Sequence, residues 1–179
     1  MFGTPVYTPT ARFLHWLMAF LILGMLALGL FMTGLDLSPA KLRLYSWHKW
    51  IGVTLFLLAL ARILWRATHP APPLPGSVPA WEGLAAYAVH GLFYLLMLAT
   101  PLSGWLMSSA KGFQTVWWGV LPLPDLLGKD EALGRLLETV HQSLNWGLIV
   151  LLIVHVFAAL KHQYVDRDGL MERMLPRMR

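Results

Sequence analysis

The 179-residue chain contains no cysteine. That removes disulfides, iron–sulfur clusters, thiolate zinc sites and cysteine nucleophiles together. Charge is scarce as well. Only 13% of the residues are Asp, Glu, Lys or Arg, against about 25% in an ordinary soluble domain. No basic patch interleaved with aromatics lies outside the apolar blocks, so the formal charge of +5 reads as loop lysine and arginine rather than a nucleic-acid surface. The sequence also lacks a serine, histidine and acid arrangement for hydrolysis, a phosphate-binding glycine loop, and a carboxylate cluster for a hard metal. Redox is the chemistry that remains.

What is present is apolar sequence, 57% of the chain, gathered in long blocks, with nine tryptophans of the kind that collect at membrane–water interfaces. A helix needs about 20 apolar residues to cross a bilayer. Four blocks qualify, at about Phe13–Thr33, Tyr45–Trp65, Leu84–Met107 and Val140–Lys161. The first is not read as a cleavable signal, because its apolar part exceeds the usual 7–15 residues and no small-x-small site follows. The expectation is an all-α membrane protein, a four-transmembrane-helix bundle, forming one integral membrane domain over residues 1–179. The Pro-rich stretch from His69 to Pro79 predicts a stiff non-helical linker. Pro101 and Gly104 predict a kink in span three, and an amphipathic segment at about 129–138 leads into span four.

Four spans put both termini on one side. That side holds Arg12, Arg62, Arg66, Lys161, Arg167, Arg173, Arg177 and Arg179, and the other holds Lys41, Arg43, Lys49, Lys111, Lys129 and Arg135. The positive-inside rule then places both termini in the cytoplasm.

Histidine carries the functional signal. His141 and His155 lie fourteen residues apart on span four, which is roughly 21 Å of rise and about 40° short of four full turns. Both imidazoles therefore face the same neighbour, one near each end of the hydrocarbon core, where two haems would sit. A six-coordinate haem needs a second axial histidine at the same depth. His15 starts span one at the cytoplasmic end, level with His155, and His48 opens span two at the far end, level with His141. Arg62, fourteen residues after His48, reaches the cytoplasmic level and is a candidate partner for haem propionates. Arg12, three residues before His15, is a second. An intramembrane histidine can also be a packing residue, a proton relay or an interfacial anchor. His69 and His162 are read as non-ligands. His90 either replaces His15 opposite His155, hydrogen-bonds a propionate, or helps a quinone exchange protons.

The chain resembles the bacterial cytochrome b-561 family of small four-helix di-haem cytochromes. The resemblance rests on Arg12-Phe-Leu-His15-Trp16, on Trp47-His48-Lys49 with Gly52 and Ala61-Arg62-Ile-Leu-Trp-Arg66, on the Pro-Ala-Pro-Pro linker, and on Tyr94-Leu-Leu with Pro101. The His141 to His155 pair and the closing Met174-Leu-Pro-Arg-Met-Arg complete it. It implies two haem b groups at His15, His48, His141 and His155, and electron exchange with ubiquinone. The best-described member type oxidises superoxide at the periplasmic face and passes the electron to quinone. The competing expectation is a cytochrome subunit relaying electrons between a partner dehydrogenase or hydrogenase and quinone; a haem-free helical bundle is the third. Lipid, quinone and superoxide are the expected partners, nucleic acid is not, and a homo-oligomer remains open.

Overall fold

The computed structural model describes residues 6–175, so Arg177 and Arg179 of the charge tally, and the end of the closing tail motif, lie outside the described residues. Four helices long and apolar enough to cross a membrane make up most of it. They are α1 (Pro9–Thr33), α2 (Pro39–Thr68), α3 (Ala80–Ala110) and α4 (Glu131–Lys161). α1, α2 and α4 begin before their apolar blocks because local signals outside the block start them. Thr8 and Ser38 accept hydrogen bonds from the backbone N–H groups of Ala11 and Lys41, and each is followed by a proline that suits the first helical position. Asp130 caps α4 through Leu133, so the amphipathic 129–138 segment is the opening of α4 itself. The linker from His69 to Pro79 is non-helical, and α3 runs through Pro101 as one helix.

The packing is uneven. α3 and α4 form one close pair, and α1 and α2 another, joined mainly where α2 meets α3. The apolar core comprises Met18, Met25, Leu55 and Ala59 with flanking residues of α1, α2 and α3, and no residue of α4 belongs to it. α4 thus stands off from α1 and α2, leaving a seam that its histidines face.

Both ends of the bundle are closed. Between α3 and α4 a two-stranded hairpin pairs β1 (Val116–Trp117) with β2 (Leu121–Pro122). It is pinned to α2 by bonds from Trp50 Nε1 to the Val116 carbonyl and from Trp117 Nε1 to the Trp50 carbonyl. Its turn puts Trp118 at φ 52°, a left-handed conformation that costs a bulky residue about 1–3 kcal/mol. Ring contact with Trp50, centroids 5.5 Å apart, holds it there. At the other end a π-helical turn (His162–Asp166) and left-handed Arg167 and Gly169 swing the chain back beneath the helices. The tail then straps across α1: the Arg173, Met174 and Leu175 carbonyls accept from Tyr7 N–H, Trp16 Nε1 and Arg12 Nη1. Arg173, 7% exposed, donates to the Pro73 carbonyl at 2.6 Å. Arg173→Ala leaves that carbonyl unpaired, and the expected loss is about 1.5–3 kcal/mol, read as a lower thermal midpoint in detergent.

The tryptophans therefore do more than the interfacial anchoring their positions suggest. Trp16, Trp50, Trp65, Trp105 and Trp117 each donate the indole N–H to a specific acceptor.

Candidate functional site

Helix rise alone sets the levels at which the histidines meet. His15 of α1 and His155 of α4 lie with ring centroids 6.2 Å apart at the end where the chain termini gather. His48 of α2 and His141 of α4 lie 6.2 Å apart at the hairpin end. The two pairs span the seam that α4 leaves open. With metal–imidazole bonds of about 2.0–2.1 Å and about 1.1 Å from ring nitrogen to ring centre, imidazoles on opposite sides of one iron stand roughly 6.3 Å apart. Both separations fit that arrangement.

The surroundings of the rings fit it too. His141 Nδ1 is 3.0 Å from the Thr100 carbonyl and 3.0 Å from Ser103 Oγ. Donation to the carbonyl fixes the proton on Nδ1 and leaves the Nε2 lone pair for a metal, the usual way an outer partner orients a ligating histidine. His48 Nδ1 is buried without a partner, as is Thr100 Oγ1. Two glycines make room for the rings. A Cβ on Gly29 would meet His48 Cε1 at 3.5 Å, and one on Gly104 would meet His141 Cε1 at 3.1 Å. A half-open pocket reaches from this pair into the bundle, lined by His48, Thr100 and His141 together with Met25, Gly52 and Leu55.

The remaining candidates separate. Arg62 reaches α1, with Nη1 3.5 Å from the Ala11 carbonyl and Nη2 3.4 Å from His15 Nδ1. Arg12 is tied to the strap through the Leu175 carbonyl at 3.1 Å. His90 donates Nδ1–H to the Ala86 carbonyl at 2.7 Å and lies 5.6 Å from His155, closer than two rings on one iron would stand. His69 stacks on Trp65 at 3.9 Å, away from both pairs. His162 is held by Asp168 at 2.6 Å within a cluster that also contains Glu82, Asp166 and Lys161. Sequence reasoning missed Thr100 and Ser103 as partners of His141, because a carbonyl made available across two helices leaves no trace in a motif. Gly104, a small residue in span three at the depth of His141, makes room for the ring as well as marking a kink in the sequence.

Four apolar spans carrying two level histidine pairs across an open seam define an integral membrane electron-transfer protein of the b-type cytochrome class. The chain belongs to the prokaryotic cytochrome b561 family, whose model matches residues 6–177. Cytochrome b561 homolog 2 of Escherichia coli K12 is 38% identical over 163 residues, 90% of this chain and 86% of that protein. Cytochrome b561 homolog 1 of the same strain is 27% identical over 177 residues, 96% of this chain and 97% of that one. A Yersinia pestis protein named probable superoxide oxidase CybB is 28% identical over 172 residues, 93% of each chain. Membership carries with it transmembrane electron transfer and b-type haem, and it fits a multi-pass protein of the inner membrane.

Proposed function

We propose that the chain holds two haem b groups, one between His15 and His155 and one between His48 and His141, and works as a superoxide:ubiquinone oxidoreductase with both termini in the cytoplasm. The observation that carries the reading is the pair of 6.2 Å ring separations, one at each end of the seam. The Yersinia pestis relative's name supports superoxide as donor, and the eight-to-six division of the fourteen Lys and Arg residues supports the orientation.

Bound haem b would supply a one-electron couple whose potential is set by axial ligands, burial and hydrogen bonding. The chain's own part is to hold and orient. α4 keeps its two histidines in phase, the Thr100 carbonyl fixes the His141 tautomer, and the hairpin closes the periplasmic end. Two superoxide ions would each give up one electron and leave as dioxygen, and ubiquinone would take two electrons and two protons. Superoxide is a small anion, and the cations of the periplasmic face favour its approach. Several of those cations are already occupied. Lys111 pairs with Glu138 at 2.7 Å and Arg135 with Glu131 at 3.9 Å. Lys41 and Lys49 donate to the neutral carbonyls of Leu35 and Phe113 and form no ion pair, although Lys49 feels the charge of Asp125.

Pulse radiolysis of the purified, reconstituted protein tests the donor. Haem reduction that follows the superoxide pulse is expected. Haem that stays oxidised ends the superoxide reading and turns the search to a stoichiometric dehydrogenase partner recovered by gentle purification.

A further inference from the structure

The end of the bundle that holds His15 and His155 also holds three guanidinium groups, and among the described residues none of Arg12, Arg62 and Arg66 is within ion-pair distance of a carboxylate. The acids nearby are engaged elsewhere. Glu82, Asp166 and Asp168 are taken up by Lys161 and His162, and Glu172 is exposed. Guanidinium groups at the edge of an apolar slab are costly without a counter-charge.

The three are not equivalent. Arg12 gives Nη1 to the Leu175 carbonyl of the strap, while its Nε is buried without a partner. Arg62 and Arg66 lie one helical turn apart on α2, which puts them on one face. Both contacts of Arg62 are long, 3.4 and 3.5 Å. One of them is to His15 Nδ1, a nitrogen that must carry its own proton if Nε2 is to bind a metal, and so cannot then accept from an arginine. Nη1 of Arg66 is buried and meets no hydrogen-bond partner. His90, whose ring lies 5.6 Å from that of His155, is within electrostatic reach of both arginines.

We infer that Arg66, together with Arg62, grips a pair of carboxylates, the two propionates of the haem held between His15 and His155. This rests on the haem assignment above and adds a residue to it. A guanidinium suits the role because its planar fork meets a carboxylate with two parallel hydrogen bonds, which an ammonium cannot do. The same fork also binds a lipid phosphate, and the experiment separates the two sources.

Arg66→Gln and Arg66→Lys are compared with wild type by optical redox titration in nanodiscs of phosphatidylcholine alone and of phosphatidylcholine with phosphatidylglycerol. A cation beside the propionates favours the reduced form, so its loss makes reduction harder. The expected result for Arg66→Gln is a shift to lower potential of one haem only, the same in both lipids, with a smaller shift for Arg66→Lys and haem content unchanged. Unchanged midpoints overturn the inference, as do equal shifts of both haems. A shift confined to the anionic lipid assigns Arg66 to lipid phosphate instead. If both variants lose one haem, Arg66 acts in the fold rather than on the propionates, and the inference falls. Wild-type protein that binds no b-type haem, or only one, defeats the haem assignment itself and is recognised before any variant is made.

Discussion

Replacing His141 with leucine is expected to lower the haem content from two per chain to one, with the remaining haem keeping its own midpoint and absorption. The argument is one of separation. His141 and His155 share α4, but the roughly 21 Å of helix between them puts each against a different partner helix, His48 of α2 for the first and His15 of α1 for the second. Their immediate supports do not overlap. His141 is oriented by Thr100 and Ser103 of α3, whereas His155 touches Phe93 and His90 one end away. Leucine occupies a similar volume without a lone pair, so α4 should remain helical and apolar. The check is a pyridine haemochrome assay with a redox titration. His48→Leu should give the same single-haem product as His141→Leu, and His15→Leu should give the complementary one. Loss of both haems from any one replacement would show that the two sites do not form independently.

The levels at which the histidines meet were legible in the sequence, and the reason is physical. An α-helix converts residue count into depth and rotation at fixed rates, and a bilayer gives all four helices a common set of levels. His15 could therefore be matched to His155, and His48 to His141, before any contact was known. The four-helix architecture was legible on the same ground. The helix ends were not, because capping by Thr8, Ser38 and Asp130 lies outside the apolar blocks that mark the spans.

The arginines show where such reasoning runs out. Arg12 stands three residues before His15, close enough in sequence to look like a propionate partner. What its place in the sequence does not show is a bond from Nη1 to Leu175, 163 residues away, reached through a tail that turns at the left-handed residues Arg167 and Gly169. No local pattern announces that return. In the sequence Arg66 is one more basic residue at the end of span two, and its unmet Nη1 appears only when its neighbours are in place. The stand-off of α4 was equally hidden. Its apolar residues look like those of the other spans, yet the core is built from α1, α2 and α3, and the space this leaves is where the paired rings lie.

That space depends on what fills it least, and Gly104→Val is the sharpest probe of it. A Cβ at position 104 would lie 3.1 Å from His141 Cε1 and 3.3 Å from His141 Nδ1, closer than ordinary van der Waals contact, and valine adds two methyl groups beyond it. The ring cannot yield freely, because its Nδ1 is committed to the Thr100 carbonyl four residues earlier on α3, so the same helix would both hold the ring and push it. Either the hydrogen bond breaks or the imidazole leaves the level of His48, and both outcomes spoil its direction as a ligand. The expected product carries one haem, like His141→Leu, although every histidine is intact. Overpacking of this kind costs about 1–3 kcal/mol, which four membrane helices should tolerate, so the protein is expected to remain folded. Gly24→Val is the control, since a Cβ there meets nothing within 4 Å, and it should keep two haems. If Gly104→Val also keeps two, the room around His141 is not what admits the haem, and the fit of that ring pair to a shared iron loses its structural basis.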